Sequence, residues 1–169
     1  MNREILFRAK KIDDGEWVEG YLFDDGLPKP KRFFIGGFGI YEYEGAPNQW
    51  AINRQDIAEI DLDTICQYTG LTDKNGRKIF EGDIFKFNDE VWESSYTACG
   101  TEYDSWEVDN YGVVGYDNET ARYDFCKYKY GENSVEADLH ENHGLEFADF
   151  IQELKVGGNI FDNPELLRN

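Results

Sequence analysis

The sequence has no run of about 18 apolar residues, the length at which a helix becomes a candidate to cross a bilayer. Its opening, MNREILFRAKK, also lacks the apolar core of a secretory signal. A cytoplasmic location is therefore expected. Cysteine is scarce: Cys66, Cys99 and Cys126 are odd in number, far apart and without a CxxC pair. That pattern argues against a disulfide framework and fits reduced thiols. The glycines form neither a GxGxxG run nor a Walker motif, and Gly36-Gly37-Phe38-Gly39 reads as a turn, so nucleotide binding has no support. Basic residues are also in short supply, 17 Lys and Arg facing 35 Asp and Glu for a net charge of −18. A surface of that sign repels nucleic acid and anionic membrane at long range, so direct binding to either is not expected.

Aromatic side chains, by contrast, are abundant. Twelve Phe, 11 Tyr and 4 Trp in 169 residues, with 40% apolar residues overall, supply enough buried area for a folded core despite a low mean hydropathy. The length suits one domain without metal or disulfide staples. The charge is uneven: residues 89–154 carry 3 basic and 17 acidic groups, and the other residues are nearly balanced.

Alternation of apolar and polar residues points mainly to β structure. Ile5, Phe7 and Ala9, a turn at Asp13-Asp14-Gly15, and Trp17–Phe23 read as a hairpin. Leu27-Pro28-Lys29-Pro30 reads as a loop, followed by two short strands, Arg32–Ile35 and Phe38–Tyr43, separated by Gly36-Gly37. Trp50–Asn53 and Thr64–Tyr68 have strand composition, while Ile57–Leu62 fits either state. Asp73-Lys74-Asn75-Gly76 is a turn leading through Lys78-Ile79-Phe80 and Glu81-Gly82-Asp83 into Ile84–Phe87. From Asn88 to Asn110 no single periodicity persists, and the segment reads as an acidic inserted loop with a possible strand near Trp92. Tyr111–Tyr116 and Ala121–Tyr130 form a second hairpin, with Tyr123, Phe125 and Cys126 toward the core. Asn133 and Glu136 resemble a capping box for a short helix ending near Gly144, and Ala148–Leu154 suits another helical turn. A late strand spans Leu154, Val156 and Ile160, and Asn163-Pro164 caps a terminal turn at Glu165–Leu167.

The stretch from Cys66 to Ile84, containing Gln67-Tyr68-Thr69-Gly70-Leu71, Asp73-Lys74-Asn75-Gly76 and Glu81-Gly82-Asp83-Ile84, resembles the signature of the YopX family. The close, Gly158-Asn159-Ile160 with Asn163-Pro164-Glu165-Leu166, and the opening Phe7-Arg8-Ala9 resemble the same family. Residues 1–169 are thus expected to form a single YopX-like domain, with residues of about 88–110 inserted. The resemblance implies a phage or prophage protein of the host bacterial cytoplasm without established biochemical activity, and it carries over no catalytic residue. The motif itself reads as architecture: Asp73–Gly76 makes a turn, and Gly82-Asp83 starts a strand.

Candidate chemistry is thin. His140 and His143 lie three apart, which on a helix brings both imidazoles to one face, but no third metal ligand is identifiable and the HExxH spacing is absent. Asp83 in Glu81-Gly82-Asp83 is too isolated to signal a two-metal phosphate-ester site. No residue is therefore assigned to catalysis, to a cofactor or to a metal, no cofactor is expected, and the chain is not expected to be an enzyme. Two basic clusters, Lys29-Lys31-Arg32 and Lys74-Arg77-Lys78, suit an acidic surface of another subunit or solvent.

The expected fold is mainly β, all-β to α+β: a small, partly open SH3-like barrel with short helices near the C-terminus. Tyr68, Leu71, Ile79, Phe80, Ile84 and Phe87 are expected in its core. The expected function is that of a noncatalytic accessory protein that self-assembles or binds a host or phage protein. A metal-dependent enzyme acting on a phosphate ester is the alternative. A third reading is an acidic DNA mimic, with Glu102, Asp104, Glu107 and Asp109 presented to a host nucleic-acid-binding protein.

Overall fold

Strands pair where alternating apolar residues meet turn chemistry, and the first hairpin follows that rule. In the computed structural model, which describes residues 4–44, 48–97, 99–119, 121–130 and 147–168, β1 (Phe7–Lys10) pairs antiparallel with β2 (Trp17–Asp24), Lys10 opposite Trp17. The chain divides into two compact units, Met1–Gly70 and Leu71–Asn169.

In the first unit β2 pairs with β3 (Phe33–Glu42), and β3 with β4 (Trp50–Glu59). β5 (Cys66–Thr72) lies on the other side of β1, giving the order β4-β3-β2-β1-β5. The two short strands expected around Gly36-Gly37 are one strand: the ladder shifts register between Ile35 and Gly37 instead of breaking. Gly36 is required there, because a Cβ would stand 2.8 Å from Ile57 Cα, and a glycine inside a strand commonly marks such a bulge or close approach. Ile57–Leu62 resolves into the end of β4, a single bridge Lys11↔Ile60, and the start of a 3-10 turn at Leu62–Thr64. Ile12 N–H donates to Glu59 O (3.0 Å) and Asp61 N–H to Lys10 O (2.9 Å), pinning the end of β4 to the end of β1. Ala9, Ile35 and Ile60 form the buried centre, ringed by Phe7, Val18, Leu22, Phe33 and Ile65.

The second unit begins at the end of β5 and turns at Asp73–Gly76 into β6 (Lys78–Phe80). β7 (Asp83–Thr97) and β8 (Gly100–Asp117) form a long hairpin, flanked by β10 (Val156–Asn159) on β7 and β9 (Arg122–Tyr130) on β8. Helix α1 (Phe147–Glu153) precedes β10 and a 3-10 turn, Pro164–Leu167, follows it. Asn163 makes no side-chain cap on that turn; its Oδ1 accepts from Asn159 N–H instead. Ile79, Phe85, Val114, Ile151 and Val156 form the core, with Leu71, Tyr123, Phe125 and Leu154 packed against it.

The chain is mainly β, in antiparallel sheets, and no described sheet closes into a barrel. Five of the six expected core residues, Tyr68, Ile79, Phe80, Ile84 and Phe87, are buried, and Leu71 packs at the core margin. Residues 88–110 are not a loop: they continue β7 and β8 in unbroken register from Ile84↔Val113 to Thr97↔Gly100. Cys66 and Cys99 form no disulfide. No helix among the described residues is long and apolar enough to cross a membrane.

Candidate functional site

Asp73 shows what the family-like motif does physically. Its Oδ1 accepts the N–H groups of Asn75 (2.8 Å) and Arg77 (2.9 Å), and Oδ2 accepts that of Val156 (3.2 Å), so one buried carboxylate closes the turn and holds β10. Burial pushes this carboxyl up, but the Arg77, Asn75 and Val156 N–H groups and the Arg77 charge outweigh it and leave the pKa below its ordinary value. A lowered carboxyl stabilises the fold above the ordinary carboxylate range and loses that contribution as the pH falls through it. Asp83, fully buried at the start of β7, accepts Phe80 N–H (2.9 Å) and closes the turn before it. Both are positioned as architecture. Among the described residues no group of three His, Cys, Asp or Glu is placed to hold a metal. His140, His143 and the capping box Asn133–Glu136 lie outside the described residues.

The basic clusters fare differently. Lys74 on the Asp73–Gly76 turn and Arg77 just after it are exposed. Lys31 and Arg32, together with Lys10 and Lys11, line a cleft of about 470 Å³ in the first unit, beside Glu59 and Asp61. Phe33, Ile60, Ile12 and Leu62 supply its apolar surface. The cleft exists because the Lys11↔Ile60 bridge draws the β1–β2 turn toward the end of β4. Three of the four basic tips are held by carboxylates: Lys11 by Asp14 (2.6 Å), Lys31 by Asp24 (2.6 Å), and Arg32 by both oxygens of Glu59 (2.8 and 2.6 Å). Those hydrogen bonds raise the three basic pKa values and lower those of Asp14, Asp24 and Glu59. The Lys10 ammonium lies 5.6 Å from the centre of the Trp17 ring.

A second exposed feature of this unit is an aromatic face. Phe23 contacts Phe34 and Phe38, at ring separations of 5.8 and 4.9 Å, and Phe38, Ile40, Tyr21 and Trp50 are exposed.

The second unit carries the acidic segment. β9 covers β8 only from Asn110 to Asp117, and β10 covers β7 only from Asp83 to Phe85. The ten residue pairs from Asn88↔Asp109 to Thr97↔Gly100 therefore form a two-stranded ribbon, about 30 Å long, with no third strand among the described residues. Residues 88–110 contain seven Asp and Glu and no Lys or Arg. The register sets acid opposite acid at Glu90↔Glu107 and Glu93↔Asp104, an arrangement that disfavours a ladder. Asp109, at the ribbon's base, is paired with Lys86 (2.7 Å).

The model of the family described as YopX protein matches residues 6–168. The chain belongs to the YopX family. A solved structure, protein EF1440 from Enterococcus faecalis, matches this YopX-family chain with 22% identity, a TM-score of 0.54, and coverage of 99% of this chain and 100% of that one. At that identity the likeness speaks for the fold alone. No curated protein matches.

The sequence alone assigned no role to Lys10 and Lys11; the bridge between Lys11 and Ile60 brings them beside Lys31 and Arg32. The ribbon was missed because its alternation changes phase: Tyr103 and Ser105 alternate with Glu102 and Asp104, then Trp106-Glu107 reverses the pattern. The available signal was composition, since Val91, Trp92, Tyr96 and Thr97 are strand formers before Cys99-Gly100.

Proposed function

We propose that this YopX-family chain is a phage- or prophage-encoded accessory protein without catalytic activity, and that it assembles with itself through the β7–β8 ribbon. The observation that carries the reading is the ten-pair ribbon without a flanking strand among the described residues. An isolated two-stranded hairpin is marginally stable in water, and unpaired strand edges are places where another chain adds. Opposed acidic residues in the register add a second reason for a partner, because a cationic surface relieves their repulsion. The exposed aromatic face at Phe38, Ile40 and Trp50 supports a binding role for the first unit too, since contiguous apolar surface of this kind commonly marks an interaction site. The Lys11↔Ile60 bridge supports reading that unit as a partly open, SH3-like barrel in which the last ladder is reduced to one bridge.

Light scattering on the full-length chain at tens of micromolar protein and physiological salt tests the proposal. A mass of two or more chains is expected, falling toward one chain when Glu93, Asp104 and Glu107 are replaced by Lys. A monomeric wild-type chain, or a variant that assembles as well as wild type, overturns it.

A further inference from the structure

Lys10, Lys11, Lys31 and Arg32 gather in one cleft on a chain that carries −18, and the apolar surfaces of Ile12 and Leu62, both exposed, stand beside them. We infer that this cleft is the receptor for the acidic β7–β8 ribbon of a second copy of the chain. The inference rests on the self-assembly reading above and names the surface that the ribbon meets.

Three observations lead there. The chemistry of the cleft is already written in its own contacts, because Lys11, Lys31 and Arg32 each hold a carboxylate, in the Arg32–Glu59 case through a two-pronged pair. Lys31 and Arg32 are exposed and Lys11 is half-buried beside an exposed Asp14, and ion pairs open to water are readily exchanged, so a guest carboxylate can compete for the same tips. Its size lies within the range of ordinary binding clefts, about 300–1,000 Å³, and its mixture of cationic rim and apolar wall selects a guest with acids beside aromatic or branched residues. Glu90-Val91-Trp92-Glu93 and Tyr103-Asp104-Ser105-Trp106-Glu107 have that composition, on a segment with no cation of its own. The two features answer each other: the ribbon has acid opposite acid, and the cleft gathers four basic side chains, three of them on carboxylate partners that a guest acid can displace. A contact of one patch with a different patch on the next copy is heterologous, or it closes as a reciprocal pair when two copies exchange ribbons.

The experiment uses full-length chains and reads self-association by sedimentation or light scattering. A ribbon variant carries Glu93→Lys, Asp104→Lys and Glu107→Lys; a cleft variant carries Lys11→Glu and Lys31→Glu. Each change alone is expected to weaken association about tenfold or more, and the chain carrying both sets is expected to recover it, because the charges are exchanged across the same contact. Association of the wild type should also weaken as salt rises. If the ribbon variant fails to associate while the cleft variant associates like wild type, the receptor is elsewhere and this inference falls while the self-assembly reading stands. If the ribbon variant associates like wild type, the self-assembly reading itself falls. Because Lys11→Glu places a further acid beside Asp14 and Glu16, circular dichroism is recorded for every chain. Lys31→Glu alone, at an exposed side chain, serves if the double change unfolds: no loss of association with that variant overturns the inference.

Discussion

The base and the outer half of the β7–β8 hairpin are one ladder in one register, yet their surroundings differ completely. At the base, Ile84 and Phe85 are fully buried, β9 and β10 flank the pair, and Phe125 packs on both Phe85 and Phe87. Beyond Asn88 the same strands carry Tyr96 at 90% and Tyr103 at 68% exposure, with no third strand among the described residues. The difference shows that backbone pairing alone does not set local stability; the side-chain faces and the neighbouring strands do. The base belongs to the core, and the ribbon is held in its extended form by hydrogen bonds that water can also make.

The largest effect is expected at the base. Ile84→Ala should destabilise the protein by about 2–5 kcal/mol in chemical denaturation, since a fully buried side chain is removed and the core cannot close completely over the gap. A change under ~1 kcal/mol would mean that the base is as loosely held as the ribbon, and the comparison would fail.

Gly112→Ala probes the same boundary from the other side. A Cβ at Gly112 would stand 2.6 Å from the Phe125 ring, which is itself stacked on Phe87 at 5.9 Å. The ring has little room to yield, so overpacking should cost about 1–3 kcal/mol, read as a lower denaturation midpoint. An unchanged midpoint would show that Phe125 shifts freely.

Asn110 marks the place where core becomes ribbon. It lies opposite Phe87 on one side and Tyr130 on the other, is fully buried, and among the described residues neither Nδ2 nor Oδ1 has a hydrogen-bond partner. A buried amide without partners costs roughly 1–3 kcal/mol, so Asn110→Leu, of similar volume, should raise stability by about 1–2 kcal/mol. Loss of stability in that variant would reveal a polar contact at the junction that the amide serves.

Legibility from sequence follows the same division. The base could be read because two independent signals agree there: the turn chemistry of Asp73–Gly76 and Gly82-Asp83, and the apolar residues Ile79, Phe80, Ile84 and Phe87 that the turns present to a core. Family resemblance over Cys66–Ile84 covers that region as well. The ribbon was illegible because its described side chains, among them Ser94, Ser95, Tyr96, Tyr103 and Asp104, are exposed on both faces, so no buried face among them selected a steady alternation. Its acids were read as loop composition when they sit in strands. In the first unit, Gly36-Gly37 was read as a break because a glycine pair signals a turn or a bulge equally well, and only the approach of Ile57 decides between them. The cleft required the return of β4 to β1, a contact between residues some fifty positions apart that no local pattern encodes.

The smallest effect on folding, and the sharpest use of the comparison, is expected in the ribbon. Tyr96→Ala combined with Tyr103→Ala removes two exposed rings on one face of the hairpin, so in dilute, monomeric protein the unfolding free energy should change by no more than about 0.5 kcal/mol. Amide hydrogen exchange separates the halves of the ladder directly. Amides at Ile84, Phe85 and Val113 should exchange only through global unfolding, whereas those beyond Asn88 should exchange through local opening with little protection. Raising the protein concentration until the chain assembles should then slow exchange in the ribbon while leaving the base unchanged, because only the ribbon gains partners, and the tyrosine variant should lose part of that gain. Equal protection of both halves in the dilute monomer would show that the ribbon is already covered within its own chain, and the contrast between base and ribbon would have to be abandoned.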